Sequence, residues 1–196
     1  MTSSRSRAVG ESFYGYGLTL RPVTLGDLPA LRRWRNNPKI SRMMTDHSYI
    51  GAHQQRKWFE GFYDKVDQGH WVVWRNGIRT GYMKIQGIVE DKPLDQQEET
   101  DVGTYVGDST VRYGLLGYAV ALMQLQIVFE YLSISGIRTE IREWNVRGRK
   151  FNHLLGYREG DKKGGLIVMT IDQESFIAAK RKISRYFNDP SIQVIK

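Results

Sequence analysis

The sequence predicts an α/β chain of the mixed (α+β) kind, folded around one sheet. Three observations carry this. Short runs such as LTLRPV, HWVVWRN and TGYMKIQGI have the character of strands. Other stretches space their apolar residues as helices do, among them HQQRKWFEGFYDKV and the long VRYGLLGYAVALMQLQIVFEYLSISG. The two kinds interleave along 196 residues, a length that suits one domain with its own core. Residues 1–16 are expected to be a disordered tail, and residues 17–196 a single domain.

The elements follow in order. LTLRPV (18–23) is a strand stopped by Pro22. A helix follows, capped by Thr24 or Asp27, with Leu28, Leu31 and Trp34 on its apolar face and Asn37–Pro38 at its end. The second helix, 53–66, lines up Trp58, Phe59, Phe62 and Val66. HWVVWRN and TGYMKIQGI form a hairpin over Asn76–Gly77, a dipeptide that favours the tight two-residue turn. EDKPLDQQEE is an acidic loop, and TDVGTYVGD another strand. Gly114 and Gly117 open the long apolar helix, and Gly136 is expected to close it. IRTEIREW is a strand, NVRGRKFNHLLGYREG a short helix ending at Gly156, GGLIVMTI the last strand, and DQESFIAAKRKISRYF the last helix, capped by Asp172.

Composition narrows the function. Cysteine is absent, which excludes disulfides, thiolate metal sites and cysteine catalysis. That suits a reducing compartment, and a cytoplasmic location is expected. No apolar run approaches the roughly 18 residues of a membrane span, and the first residues do not read as a signal peptide. The net charge is +8. It suits a polyanionic partner, including phosphorylated small molecules, or simply a generally basic surface. No nucleic-acid motif stands out. Neither nucleic acid, membrane nor metal is expected as a partner. Oligomeric state stays open, a homodimer included.

Two segments carry chemistry. A glycine turn leading from a strand into a helix presents unpaired N–H groups at the positive end of the helix dipole, an arrangement that binds phosphate. Arg112 adds a charge there. The turn is not a P-loop, since no Gly-Lys-Ser or Gly-Lys-Thr follows, and its glycine spacing is wrong for a dinucleotide fingerprint. The second segment is EWN, with Gly156–Tyr157 following eleven residues after Asn145.

A strand, a glycine turn, a long helix, a strand ending in Asn and a short helix ending in Gly-aromatic together resemble the GNAT acetyltransferases over about residues 18–171. Arg112 and Gly117 match the first and last positions of that family's pyrophosphate turn. Leu115 stands in the middle glycine's slot, with Gly114 one residue early. The resemblance implies a mostly antiparallel mixed sheet with two splayed central strands, TDVGTYVGD and IRTEIREW. It also implies acetyl-CoA held by Val106, Arg112, Gly114, Leu116, Gly117, Tyr118, Asn145 and Asn152. Asn145 is equally suited to capping its helix, and both roles are compatible.

The segment LRPVTLGDLPALRRWRNNPKISRMM is similar to acetyltransferases that modify a 4-amino-4,6-dideoxy sugar on UDP, as in pseudaminic acid biosynthesis. That narrower resemblance implies a nucleotide-sugar pocket lined by Arg35, Lys84 and Tyr105. Gln55 stands where those relatives have a histidine, with His53 two residues earlier. Trp34 reads as a core residue.

The implied reaction is direct attack of an amine on the thioester, with a backbone N–H at Val106 or Gly107 holding the carbonyl oxygen. Asp101 is the candidate base, or else a solvated strand-end acid. Asn152 occupies the place of the tyrosine acid in many relatives and cannot supply a proton, which leaves water to protonate the thiolate. His153 reads as a surface residue or as one that supports the site from behind. Alternative acceptors are a protein N-terminus or lysine, or another small-molecule amine. Alternative functions are a basic nucleic-acid-binding module or a catalytically inactive acyl-CoA binder.

Overall fold

The structure is a computed structural model of the chain that describes residues 8–107 and 115–195. In chain order the elements are β1 (Ser12–Gly15), β2 (Leu18–Pro22), α1 (Leu28–Arg35), α2 (Pro38–Ser41), α3 (Ala52–Phe62), β3 (Gln68–Arg75), β4 (Ile78–Gly87) and β5 (Glu99–Val106). Then come α4 (Leu116–Gln126), β6 (Gly136–Arg142), α5 (Val146–Leu154), β7 (Arg158–Lys163), β8 (Leu166–Asp172), α6 (Gln173–Ile183) and β9 (Ile192–Ile195). The strands form one mixed sheet in the order β7-β8-β6-β5-β4-β3-β2-β1-β9, flanked by helices, as the sequence implies. Every neighbouring pair is antiparallel except β5 and β6.

Strand alternation divides the sheet's two faces between two apolar clusters. Trp71, Val73, Met83 and Ile85 point to the larger one, where they meet α4 and Phe176 of α6. Val72 points the other way, onto Leu28, Leu31 and Trp34 of α1 and Phe59 of α3. All but two residues of α4 are buried, which explains why its sequence is apolar on every side. The helix goes on into a π-helical turn, Ile127–Tyr131.

Several expectations hold in detail. Asn76 and Gly77 take φ of 50° and 75°, the positive values that a tight hairpin turn of this twist requires. Asp172 caps α6 by accepting from Ser175 N at 2.8 Å, and Asn145 caps α5 by accepting from Gly148 N at 2.9 Å.

Other expectations need correction. Residues 8–16 are not a tail. Phe13 of β1 is fully buried against the rings of Trp71 and Tyr131, and Glu11 ties the segment down by accepting from Tyr131 Oη at 2.8 Å. Gly136 does not close the long helix. The chain leaves it at Ser133, which takes the left-handed φ of 61°, and Gly136 already opens β6. Asn37–Pro38 ends α1 but also starts the short α2, with Asn37 as its cap. The second helix stops at Phe62 rather than Val66. β7 and β9 were not expected. β7 is the charged run REGDKK on one sheet edge, where charge keeps other strands from adding on.

Gly107 sets the distance between the sheet and α1: a Cβ there would lie 2.0 Å from the Trp34 ring. Gly107→Ala is therefore expected to destabilise the protein by about 1–3 kcal/mol through overpacking. Gly61→Ala, on a helix with open space around it, should stabilise it by up to about 1 kcal/mol. Urea denaturation of both variants checks the pair, and equal effects would contradict this packing.

Candidate active site

The site begins where two neighbouring strands part. β5 and β6 pair only at Glu99 with Gly136 and Thr100 with Ile137. Beyond Thr100 the strands diverge. Gly107 N donates to Thr80 O of β4 at 2.8 Å, so that N–H is spoken for. The antiparallel ladder alternates, so the N–H groups of Val102, Thr104 and Val106 face away from β4, toward the opening. Of the two expected donors, Val106 stands on the open side and Gly107 does not. Thr139 Oγ1 of β6 reaches across to Val102 O at 3.0 Å, at the narrow end of the gap.

A cavity of about 570 Å³ fills the gap. Lys84, Asp101 and Gly103 line it from the sheet, Asn145, Phe151 and Asn152 from α5 and its cap, and Met43–Thr45 from the loop after α2. Lys84 Nζ donates to Asp101 Oδ2 at 2.7 Å and to Gln86 Oε1 at 3.1 Å. Lys84, Gln86, Asp101 and Tyr105 share one sheet face, because Lys84 is paired with Gly103 and Gln86 with Asp101.

On that face, under α1 and α3, lies a polar and aromatic lining. The Tyr82 and Tyr105 rings stack at 5.1 Å. Burial pushes both phenols up in pKa, while the nearby Arg35 guanidinium opposes the shift. Arg35 Nη2 donates to Asp46 O at 2.9 Å, but its Nη1 is buried with no partner among the described residues. Gln55 is buried on α3, and its Oε1 likewise lacks a partner, whereas His53 is exposed. Tyr82 Oη and His70 Nδ1 are 2.6 Å apart, and the His70 ring stacks on Phe62 at 3.9 Å. Burial, helped by the charge of Lys84, lowers the His70 pKa to about 3.

The loop after α2 closes this lining. Asn36 holds Ile50 through two hydrogen bonds of 2.9 Å, and Arg142 at the end of β6 donates to Met44 O and Thr45 O. The loop is thus tied to both sides of the opening.

Around the start of α4, Leu116 points into the core and offers only its backbone to a ligand. Tyr118 packs its ring on Phe151, with centroids 4.7 Å apart, and Gly117 faces the same ring. Asn152 Nδ2 is 3.3 Å from Met169 Sδ. His153 is an exposed residue bonded to Glu159 at 3.0 Å, as the sequence suggests. The expected ligands Arg112 and Gly114 lie outside the described residues.

Sequence reasoning assigned no site role to three contributors. Tyr157 enters the cavity wall, and its phenol is raised in pKa by burial and by the charge of Asp101. Gln124, buried in α4, donates to Lys84 O at 2.8 Å and so braces β4 behind the site. A glutamine inside an otherwise apolar helix is the signal that could have found it. Arg142 left no local signal, since its partners are almost a hundred residues away.

The model of the acetyltransferase (GNAT) domain family matches residues 17–158. The chain belongs to the GNAT acetyltransferase family. Its members are acyltransferases, and so this chain is an acyltransferase enzyme. Solved structures agree on the fold. An uncharacterised protein from Bacillus halodurans is 17% identical with a TM-score of 0.74, covering 86% of this chain and 91% of that one. FdhC, described as a nucleotide-linked sugar GNAT, is 14% identical with a TM-score of 0.75, covering 92% and 100%. Spermidine N-acetyltransferase from Vibrio cholerae, solved with CoA and spermine, is 16% identical with a TM-score of 0.70, covering 82% and 98%. A comparison with curated proteins found no match.

The neutral His70 makes the folded state acid-sensitive. Its folded pKa of about 3 lies below the unfolded value near 6.5, so between these limits the unfolded chain binds the extra proton. That stability is whole above about pH 6.5 and is lost as pH falls toward 3. From pH 6.5 to 5 the loss should approach about 2 kcal/mol in urea unfolding. His70→Gln should lose less over that interval. Equal acid slopes in both proteins would contradict this assignment.

Proposed function

We propose that this enzyme transfers an acetyl group from acetyl-CoA to the amine of a nucleotide-linked deoxy amino sugar. The observation that carries the acceptor class is a pair of buried polar atoms without partners among the described residues, Arg35 Nη1 and Gln55 Oε1, on the side of the sheet where Tyr82 and Tyr105 stack. A buried cation and a buried acceptor oxygen on the aromatic side of the sheet suit a ligand with both phosphate and hydrogen-bonding groups. Asp101 is already paired with Lys84, which disfavours a polycation such as a polyamine at that carboxylate. The fold likeness to a nucleotide-linked sugar GNAT is in keeping with this, while the likeness to a spermidine enzyme marks the main competitor.

Acetyl-CoA fits the opening between β5 and β6. The pantetheine arm has the chain's own strand-edge N–H groups along one wall and the Asn145 amide beside it. The first turn of α4 turns its N–H groups toward the pyrophosphate. The amine attacks the thioester carbon, and the C–N bond forms as the C–S bond breaks. The carbonyl oxygen takes hydrogen bonds from the β5 edge around Val106. The nitrogen's proton passes to Asp101, directly or through water, and the thiolate is protonated from solvent. Asn152 holds position near the sulfur without donating a proton to it.

Release of free CoA, followed with a thiol reagent, tests this, and the absence of cysteine keeps the background low. Turnover is expected with UDP- or dTDP-linked amino sugars. Asp101→Asn should lower kcat by about 10²–10⁴-fold. Arg35→Ala should raise KM for the sugar nucleotide by about tenfold or more while leaving KM for acetyl-CoA unchanged. Turnover with polyamines or N-terminal peptides alone would overturn the acceptor assignment.

A further inference from the structure

His70 is a buried imidazole with an oxygen partner at each ring nitrogen. Its Nε2 lies 2.9 Å from Gln68 Oε1, and its Nδ1 lies 2.6 Å from Tyr82 Oη. Neighbouring rings hold it in place. It stacks on Phe62 at 3.9 Å and takes Trp58 edge-on at 5.4 Å.

These contacts decide where two protons sit. An amide oxygen only accepts hydrogen bonds, so Nε2 carries the ring hydrogen and donates it to Gln68. Burial and the charge of Lys84 keep the ring neutral, so Nδ1 is bare and can only accept. The O–H of Tyr82 therefore donates to Nδ1. Burial keeps that phenol neutral, with one proton, and this bond uses it. Tyr82 has lone pairs left to offer and nothing else. The pair is no proton store, since a ring with a pKa of about 3 does not keep a proton near neutral pH.

The Tyr82 phenol is within electrostatic reach of Arg35, Tyr105 and Asp101, groups that the proposed function assigns to the amine substrate and its deprotonation. Gln68 stands at the other end, in the wall of a cavity of about 460 Å³ beside the C-terminal end of α3.

We propose that Gln68 is a positioning residue that acts through His70. It holds the ring in its Nε2–H form, so that Tyr82 presents only oxygen lone pairs to the substrate and selects a sugar nucleotide that brings an O–H or N–H to that point. The inference rests on the sugar-nucleotide reading of the proposed function. Gln55 Oε1 and Tyr82 Oη then form two accepting oxygens, set against the donor Arg35 Nη1. A substrate group that can only accept, such as an ether oxygen, is repelled at Tyr82. If Gln68 turned its NH2 to the ring, the hydrogen would move to Nδ1, the Tyr82 O–H would be released, and the preference would reverse. One amide thus sets the polarity of a group two side chains away.

Long-range proton–nitrogen NMR of the imidazoles in the full chain tests this, because the two tautomers give distinct nitrogen patterns. The chain has four histidines, and the signals lost in His70→Gln assign His70. The unaltered protein should show the Nε2–H pattern. Gln68→Leu removes the accepting oxygen and should bring in the Nδ1–H form. Gln68→Glu keeps an oxygen in that place and should hold the Nε2–H form. In acetyl transfer to a UDP-linked amino sugar, Gln68→Leu and Tyr82→Phe should each raise KM for the sugar nucleotide about 3–10-fold, with kcat and KM for acetyl-CoA unchanged. An Nδ1–H pattern in the unaltered protein would overturn the inference and leave the acetyl-transfer reading standing. A Gln68→Leu protein that keeps the Nε2–H form would overturn it too, whatever its KM. An Nε2–H pattern in a protein that turns over no sugar nucleotide would overturn the sugar-nucleotide reading, and with it the selection assigned to Tyr82.

Discussion

The site depends on two adjacent strands that begin to pair and then part. Parallel pairing of β5 and β6 covers two residue pairs, after which each strand keeps its partner on the other side only. Strand edges inside a protein leave backbone N–H and C=O groups that must find partners. Part of that demand is met locally, where Thr139 Oγ1 donates to Val102 O. The N–H groups farther along β5 face a cavity, and the proposed function assigns them to a thioester carbonyl and a pantetheine arm. The gap is a structural cost and, in the proposed function, the binding element.

Keeping the strands apart requires support from both faces. Behind them, α4 is buried almost all round, and Gln124 bonds the backbone of β4 and β5 through Lys84 O and Gly103 O. In front, the loop after α2 is held on one side by Arg35 and Asn36 of α1's C-terminal end and on the other by Arg142 of β6. The same loop covers the polar and aromatic lining, so the geometry of that lining is coupled to the end of β6. Arg35 also carries a buried nitrogen without a partner among the described residues, so one residue serves both the loop and the lining beneath it.

Much of this was legible in the sequence, and what was not has physical reasons. The interior strands alternate, the NG turn is explicit, and the caps at Asn145 and Asp172 are local signals that need no tertiary knowledge. β7 was hidden because an edge strand of charged residues lacks the apolar alternation that marks a strand. β1 was hidden because its anchor is remote: Phe13 and Glu11 reach Tyr131, more than a hundred residues on. In the site, Arg35, Gln55, Lys84 and Tyr105 came from the family resemblance and Asp101 from the need for a base, and the fold brings Lys84, Asp101 and Tyr105 onto one face. Their pairing was not legible. The Lys84–Asp101 contact needs the β4–β5 register, and the approach of Tyr157 to Asp101 needs the closure of α5 onto the sheet.

Amide hydrogen exchange of β5 and β6, with and without acetyl-CoA, tests the central claim most directly. If the parted strands hold the coenzyme, the amides of Val102, Thr104 and Val106 should exchange readily in the free protein and become protected on binding. The amides of Gly107 and the β3–β4 hairpin, already bonded within the sheet, should change little. Protection already complete in the free protein, or a β5 edge whose exchange acetyl-CoA leaves unaltered, would contradict the account.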